Sequence, residues 1–293
     1  MISPARGFQR AVQGDGVALS AELSLKRDGG AAAVAAQACL FRGRVHGLLI
    51  QDNPLAWVHM SVLAASSLLL SEGVDPIPQL TCRDRNRIGL YSDLLGLQAL
   101  GVESVLLGRG RRVGRQHALH ASTVFDMTGR ELIALAAGLG EETGRPFFIG
   151  CGAKARRLRP NWQPEALQAR GEAGAAFLVT QLCFNVDLLR AWLEALVAQQ
   201  LTWRFSVVVS LAVFPSADTA RWVKETMTDS KIPDAVLERL EQAADARAEG
   251  IALCAETMRA VAALPGVAGI HLMSMGEPEA MAAAIDASGL RAA

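Results

Sequence analysis

Eight short apolar runs alternate with longer amphipathic stretches from one end of this chain to the other. They cover residues 17–25, 46–51, 77–82, 104–108, 147–151, 175–181, 205–211 and 269–274. Helical patterns lie between them at 55–71, 88–100, 129–139, 164–173, 186–199, 217–228 and 233–264. A buried parallel strand reads as a continuous apolar run, and parallel neighbours need a crossover helix. Eight such units over 293 residues predict an α/β fold, a single (β/α)8 TIM barrel occupying 1–293 as one domain. Gly73, Gly101, Gly140 and Gly174 are the expected left-handed stops at helix ends.

A doubly wound sheet is the competing architecture, but it lacks a fingerprint. Residues 108–114, Gly-Arg-Gly-Arg-Arg-Val-Gly, follow a strand, yet the spacing is wrong for a dinucleotide loop and Arg fills the turn.

Charge narrows the partners. Lys plus Arg is 29 and Asp plus Glu is 29, so the chain has no general attraction for nucleic acid. The longest apolar run, 61–70, is too short to span a membrane, and the first sixteen residues hold no continuous apolar segment. A cytoplasmic protein is expected. Its five cysteines form no CxxC and no metal-ligand spacing, so they read as small buried hydrophobes, and no metal site is expected.

Barrel chemistry sits at the C-terminal strand ends. Glu22 lies inside the first apolar run, where burial would raise its pKa and make it a general acid; a salt bridge to a neighbouring strand is the plainer reading. Asp52 and Asn53 could cap the following helix, and Asp84 could do so after the third strand. Arg83, Arg85, Arg87 and Arg109–Arg112 place positive charge after strands three and four, either to hold an anion or simply as exposed groups. Gln181 presents an amide that can read a flat heterocycle or cap the core. His271 reads as a core histidine. One buried acid, one amide and basic anchors point to cofactor binding and proton donation rather than hydrolysis.

Several phrases, in order, resemble the methylenetetrahydrofolate reductase family. They are Ser20-Ala-Glu-Leu23, Asp52-Asn-Pro54, Leu80-Thr-Cys-Arg-Asp-Arg-Asn86, Asp93-Leu-Leu-Gly96, Val124-Phe-Asp126, Gly174-Ala-Ala-Phe-Leu-Val-Thr-Gln181 with Phe184, Ile232-Pro233 and Gly266-Val-Ala-Gly-Ile-His271. The resemblance implies an eight-stranded α/β barrel that binds FAD and reduces methylenetetrahydrofolate to methyltetrahydrofolate with NADH or NADPH. It makes Glu22 the catalytic acid and assigns Gln181 and Phe184 to the folate. Arg109 and Gly110 match the flavin-binding turn, and Arg170 stands where the family has a flavin-binding lysine.

The departures cluster at the flavin end. Arg111 replaces an aspartate, Gln51 a threonine, Gln79 a histidine and Gly152, beside Cys151, an aromatic residue. Gln51, Gln79, Arg109, Gly110, Arg111, Cys151, Gly152 and Arg170 form the expected cofactor wall. Lys154, Arg156, Arg157 and Arg159 occupy a loop that is mostly neutral in the family. The alternative expectation is a flavin-free folate-binding barrel of one-carbon metabolism, such as a methyltransferase or a corrinoid partner protein. A homo-oligomer and a pathway partner protein remain open.

Overall fold

The computed structural model describes residues 7–113, 119–159 and 161–292. Residues 1–6, and Gly114 at the end of the 108–114 phrase, lie outside them. Every expected strand forms: β1 (Ala18–Glu22), β2 (Gly47–Ile50), β3 (Pro76–Thr81), β4 (Ser104–Gly108), β5 (Phe148–Ala153), β6 (Phe177–Leu182), β7 (Ser206–Ala212) and β8 (Val267–Met273). They close in sequence order into an all-parallel barrel, β8 pairing back onto β1. The architecture is the (β/α)8 barrel.

The helices are α1 (Gly7–Val12), α2 (Ala31–Phe41), α3 (Val62–Ser71), α4 (Arg87–Leu100), α5 (Gly129–Thr143), α6 (Glu165–Glu172), α7 (Val186–Ala198), α8 (Ala217–Thr226), α9 (Asp234–Gln242), α10 (Ala246–Ala262) and α11 (Pro278–Ser288). Three of these, α1, α2 and α11, were not expected. The stretch 233–264 is two helices rather than one, because the Asp245 carboxylate accepts from Ala248 N and starts α10 afresh. In the stretch 55–71 the helix begins only at Val62. Ser61, not Asp52 or Asn53, caps it, accepting from Ala64 N at 3.3 Å. Ahead of it, Asn53, Leu55 and Ala56 all carry positive φ.

Gly73, Gly101 and Gly174 do stop their elements in left-handed geometry. Gly140 does not: it lies inside α5, which ends at Gly144. Gly140 answers a packing need instead, since a Cβ there would lie 2.7 Å from the backbone of Pro146.

The strand alternation divides the core in two. Side chains such as Leu19, Leu48 and Leu107 face the helical layer. The alternate set, including Leu49, Ile77, Leu106, Phe148 and Phe177, fills the barrel interior, and Phe8 and Val12 of α1 join it. These are early positions in their strands, so α1 seals the N-terminal end. Phe8 meets Phe177 edge-on at 5.6 Å, and Phe177 stacks on Phe148 at 4.7 Å. Burying Phe8 alone is worth on the order of 2 kcal/mol. The Phe177 ring lies over Gly150, where a Cβ would come within 2.2 Å of it. The interior thus packs large residues against absent ones.

Candidate active site

Late strand positions line a cavity of about 1010 Å³ at the opposite, C-terminal end, where Gln51, Gln79, Gly108, Gly152, Gln181 and Met273 meet. The same inward alternation that put Ala18, Leu49 and Ile77 in the interior carries Gln51 and Gln79 to this mouth, whereas Glu22 is hydrogen-bonded to Gln51 and does not itself line the cavity.

Glu22 ends β1 and is 8 % exposed. Its Oε2 accepts from Gln51 Nε2 at 2.7 Å and from the backbone N of Ser274 at 3.2 Å. No salt bridge joins it to a neighbouring strand among the described residues. Burial pushes its pKa up to about 7, and the two hydrogen bonds oppose that rise without cancelling it. A carboxyl in this state holds a proton near neutrality and can release it. One turn of alternation below, His271 is buried with Nδ1 3.1 Å from Ser20 Oγ, and burial lowers its pKa to about 4. It is a neutral imidazole that also borders the cavity.

Two of the arginines after β3, Arg83 and Arg85, are braces. Arg83 grips Asp84 through two nitrogens at 2.6 Å each and reaches Asn53 O at 3.0 Å. Arg85 joins Asp52 Oδ2 to Asp93 Oδ2. Asp52 also accepts from Thr81 N and Thr81 Oγ1, both at 2.8 Å. Asp52 therefore ties the β2 and β3 ends together instead of capping a helix. Asp84 is likewise no cap: Asn86 caps α4, accepting from Gly89 N. Arg87 lies 3.7 Å from Glu131 at the surface.

The cofactor-wall residues mostly converge. Gln51, Gln79, Arg109, Gly110, Arg111, Gly152 and Arg170 all border the cavity. Gly110 has φ +80°, and a Cβ would lie 3.0 Å from Arg83 Cβ and 3.1 Å from Thr81 Cβ, so its turn accepts only glycine without strain. Arg109 lies over the Phe125 ring at 4.1 Å. Arg170 donates to Gly152 O at 2.7 Å. Gln79 Oε1 accepts from Asp52 N at 3.3 Å. A Cβ on Gly152 would meet nothing within 4 Å, which marks open space on that wall. Cys151 does not border the cavity: it faces the helical layer, and burial raises its thiol pKa. Cys82, Cys183 and Cys254 are buried as well, whereas Cys39 is exposed.

Arg111 and Lys154 both reach Asp229, at 3.4 and 2.8 Å, across the mouth. Lys154 and Arg111 hold the Asp229 carboxyl below the usual carboxylate range. Sequence reading missed Asp229 and Ser274. Asp229 sits 118 residues from Arg111 in an undistinguished surface phrase, and Ser274 contributes only its backbone.

Gln181 borders the cavity, but its amide is engaged. Oε1 accepts from Ala155 N at 2.8 Å, and Nε2 donates to Ala155 O at 2.7 Å. In this arrangement the amide is held by the Ala155 peptide. Phe184 packs against Phe214 at 5.2 Å in the outer core and does not border the cavity.

The wall suits an anionic ligand. Among the described residues bordering it, Arg and Lys outnumber carboxylates seven to two.

Comparison with known proteins places this geometry. Residues 53–289 match the family model for methylenetetrahydrofolate reductase. A probable methylenetetrahydrofolate reductase (NADPH) from Caenorhabditis elegans is 29 % identical over 128 residues, which are 42 % of this chain and 18 % of that protein. The aligned stretch is therefore less than a fifth of that relative's length. An uncharacterized protein from Clostridium thermocellum that binds two copies of 5-methyl-5,6,7,8-tetrahydrofolic acid superposes with a TM-score of 0.66. It has 13 % identity and 96 % of each chain covered, a likeness of fold. With its barrel and the match over 53–289, the chain belongs to the methylenetetrahydrofolate reductase family.

Proposed function

We propose that this chain reduces 5,10-methylenetetrahydrofolate to 5-methyltetrahydrofolate, with FAD as its flavin, NADH or NADPH as donor and Glu22 as general acid. The observation that carries the reading is the buried Glu22 carboxyl, titrating near 7 at the catalytic end of a barrel of this family. Proton donation to a folate nitrogen needs an acid that is still protonated near neutral pH, and burial supplies it. The folate bound by the Clostridium thermocellum protein is consistent with this substrate class.

FAD is tested by the wall that is present. The volume suits a dinucleotide, the cations suit a pyrophosphate, and the tight Gly110 turn lets backbone approach a ligand closely. Arg109, Gly110 and Arg170 would hold it, with Gly152 leaving room beside it. When bound, FAD would store the electron pair between donor and acceptor. The chain's own residues bind, exclude water and move the proton: the sealed barrel floor keeps solvent from below, and Glu22 gives up its proton. Arg111 is turned to Asp229, so its positive charge is offset at the rim.

The test is an absorbance spectrum of the full chain after incubation with FAD, followed by NAD(P)H–menadione and methylenetetrahydrofolate assays. Stoichiometric flavin absorbance with turnover in both assays is expected. A protein that takes up no FAD and turns over neither substrate overturns the proposal.

A further inference from the structure

Both hydrogen bonds that Glu22 receives among the described residues end on the same oxygen. Gln51 Nε2 and Ser274 N converge on Oε2, at 2.7 and 3.2 Å, and none ends on Oε1. Both Gln51 Nε2 and the Ser274 N–H donate to Oε2, and a carbonyl oxygen accommodates two donors where a hydroxyl oxygen does not. The acidic proton is then excluded from Oε2 and resides on Oε1.

We infer that Gln51, together with the Ser274 N–H, is a positioning pair that fixes the proton of Glu22 on Oε1 and stabilises the carboxylate left when that proton departs. The inference rests on the reading of Glu22 as proton donor and adds to it the residue that aims the proton. In the step, the Oε1–H bond breaks, an N–H bond forms on the acceptor, and the carboxylate keeps the electron pair. Water later restores the proton. Negative charge grows on the carboxyl as the proton leaves, so two fixed donors on Oε2 act like an oxyanion hole turned on the enzyme's own acid. They also explain how the carboxyl can be buried and still ionise.

The titratable groups on the flanking strands leave this role to Gln51 and Ser274. His271 on β8 is neutral and held to Ser20. Asp52, just past β2, is turned to Thr81 and Arg85. Gln51 itself lines the cavity, next to the acid it is bonded to.

The role is read in the protein alone by infrared titration of the full chain, with Glu22→Gln as the spectral blank. In the wild type the protonated carboxyl should show a C=O stretch lowered by two accepted hydrogen bonds. Gln51→Leu should raise that stretch and move the titration midpoint up by roughly one pH unit, because a donor to the charged form is lost. The pH limb of turnover should follow, with kcat falling roughly tenfold and KM little changed. Gln51→Met serves as a second variant if leucine perturbs folding. A wild-type stretch typical of a carboxyl without hydrogen bonds overturns the inference, as does an unmoved midpoint in either folded variant. Absence of folate turnover in the wild type would instead remove the proposed function and leave the infrared result standing.

Discussion

The side-chain amide of Gln181 closes onto the peptide of Ala155 with two hydrogen bonds, 2.8 Å from Ala155 N and 2.7 Å to Ala155 O. Ala155 is fully buried, although it opens a loop rich in Lys and Arg. The pair pins that loop to the end of β6, and a ligand that used this amide would have to displace it. Gln181→Ala should release the loop. Losing two half-buried bonds costs on the order of 1–3 kcal/mol of local opening, so cleavage by trypsin within 154–159 should quicken roughly tenfold to a hundredfold. Unchanged digestion kinetics would show that the clamp does not hold the loop.

On the proposed function, Glu22→Gln should separate two half-reactions. A nicotinamide donor should still bleach bound flavin, since that step uses no Glu22 proton. Folate reduction should fall by at least about a hundredfold. Stopped-flow absorbance reads both, and equal loss of the two contradicts the assigned role.

The same substitution should stabilise the fold at alkaline pH. The folded pKa of about 7 lies above the ordinary 4.5, so the folded state keeps this proton longer than the unfolded chain. Stability is therefore fullest below about 4.5 and is lost as pH rises toward 7. Removing the charge should recover about 3 kcal/mol at pH 8. Thermal midpoints of wild type and Glu22→Gln should diverge with rising pH; parallel curves would refute this.

His271 sets the acid side. Burial lowers its pKa from 6.5 to about 4, so folding must exclude a proton that the unfolded chain accepts. Its contribution is present above 6.5 and lost as pH falls toward 4. His271→Asn should flatten the acid decline of the thermal midpoint. An equally steep decline would mean that other groups dominate it.

Gly150→Ala tests the interior packing. The new Cβ would lie 2.2 Å from the Phe177 ring, which is itself wedged between Phe8 and Phe148. Destabilisation of about 3 kcal/mol is expected by chemical denaturation. Pairing it with Phe177→Leu should restore part of the loss.

The strands were legible because each is a continuous apolar run flanked by helical patterns, and the closed barrel follows from their number. The α1 plug was not legible: six residues carry too little periodicity, and Phe8 has meaning only beside Phe148 and Phe177. Glu22 stood out because a carboxylate inside an apolar strand is costly unless something compensates. Of the arginines after β3, Arg87 is exposed, one of the two expectations, whereas the carboxylate partners of Arg83 and Arg85 were not legible. Local sequence shows charge but not partners, and Arg85 finds Asp52 across 33 residues. Gln181 has the right address at the mouth, yet its amide is committed to a backbone 26 residues away. Phe184 and Cys151 show the limit of a one-residue alternation: either can be near a wall and still face the other way.

The α1 plug has a consequence for traffic. With Phe8 seated against Phe177 and Phe148, the barrel has a floor, and the large chamber lies at the other end. A ligand that enters this chamber passes its cationic side chains on the open side.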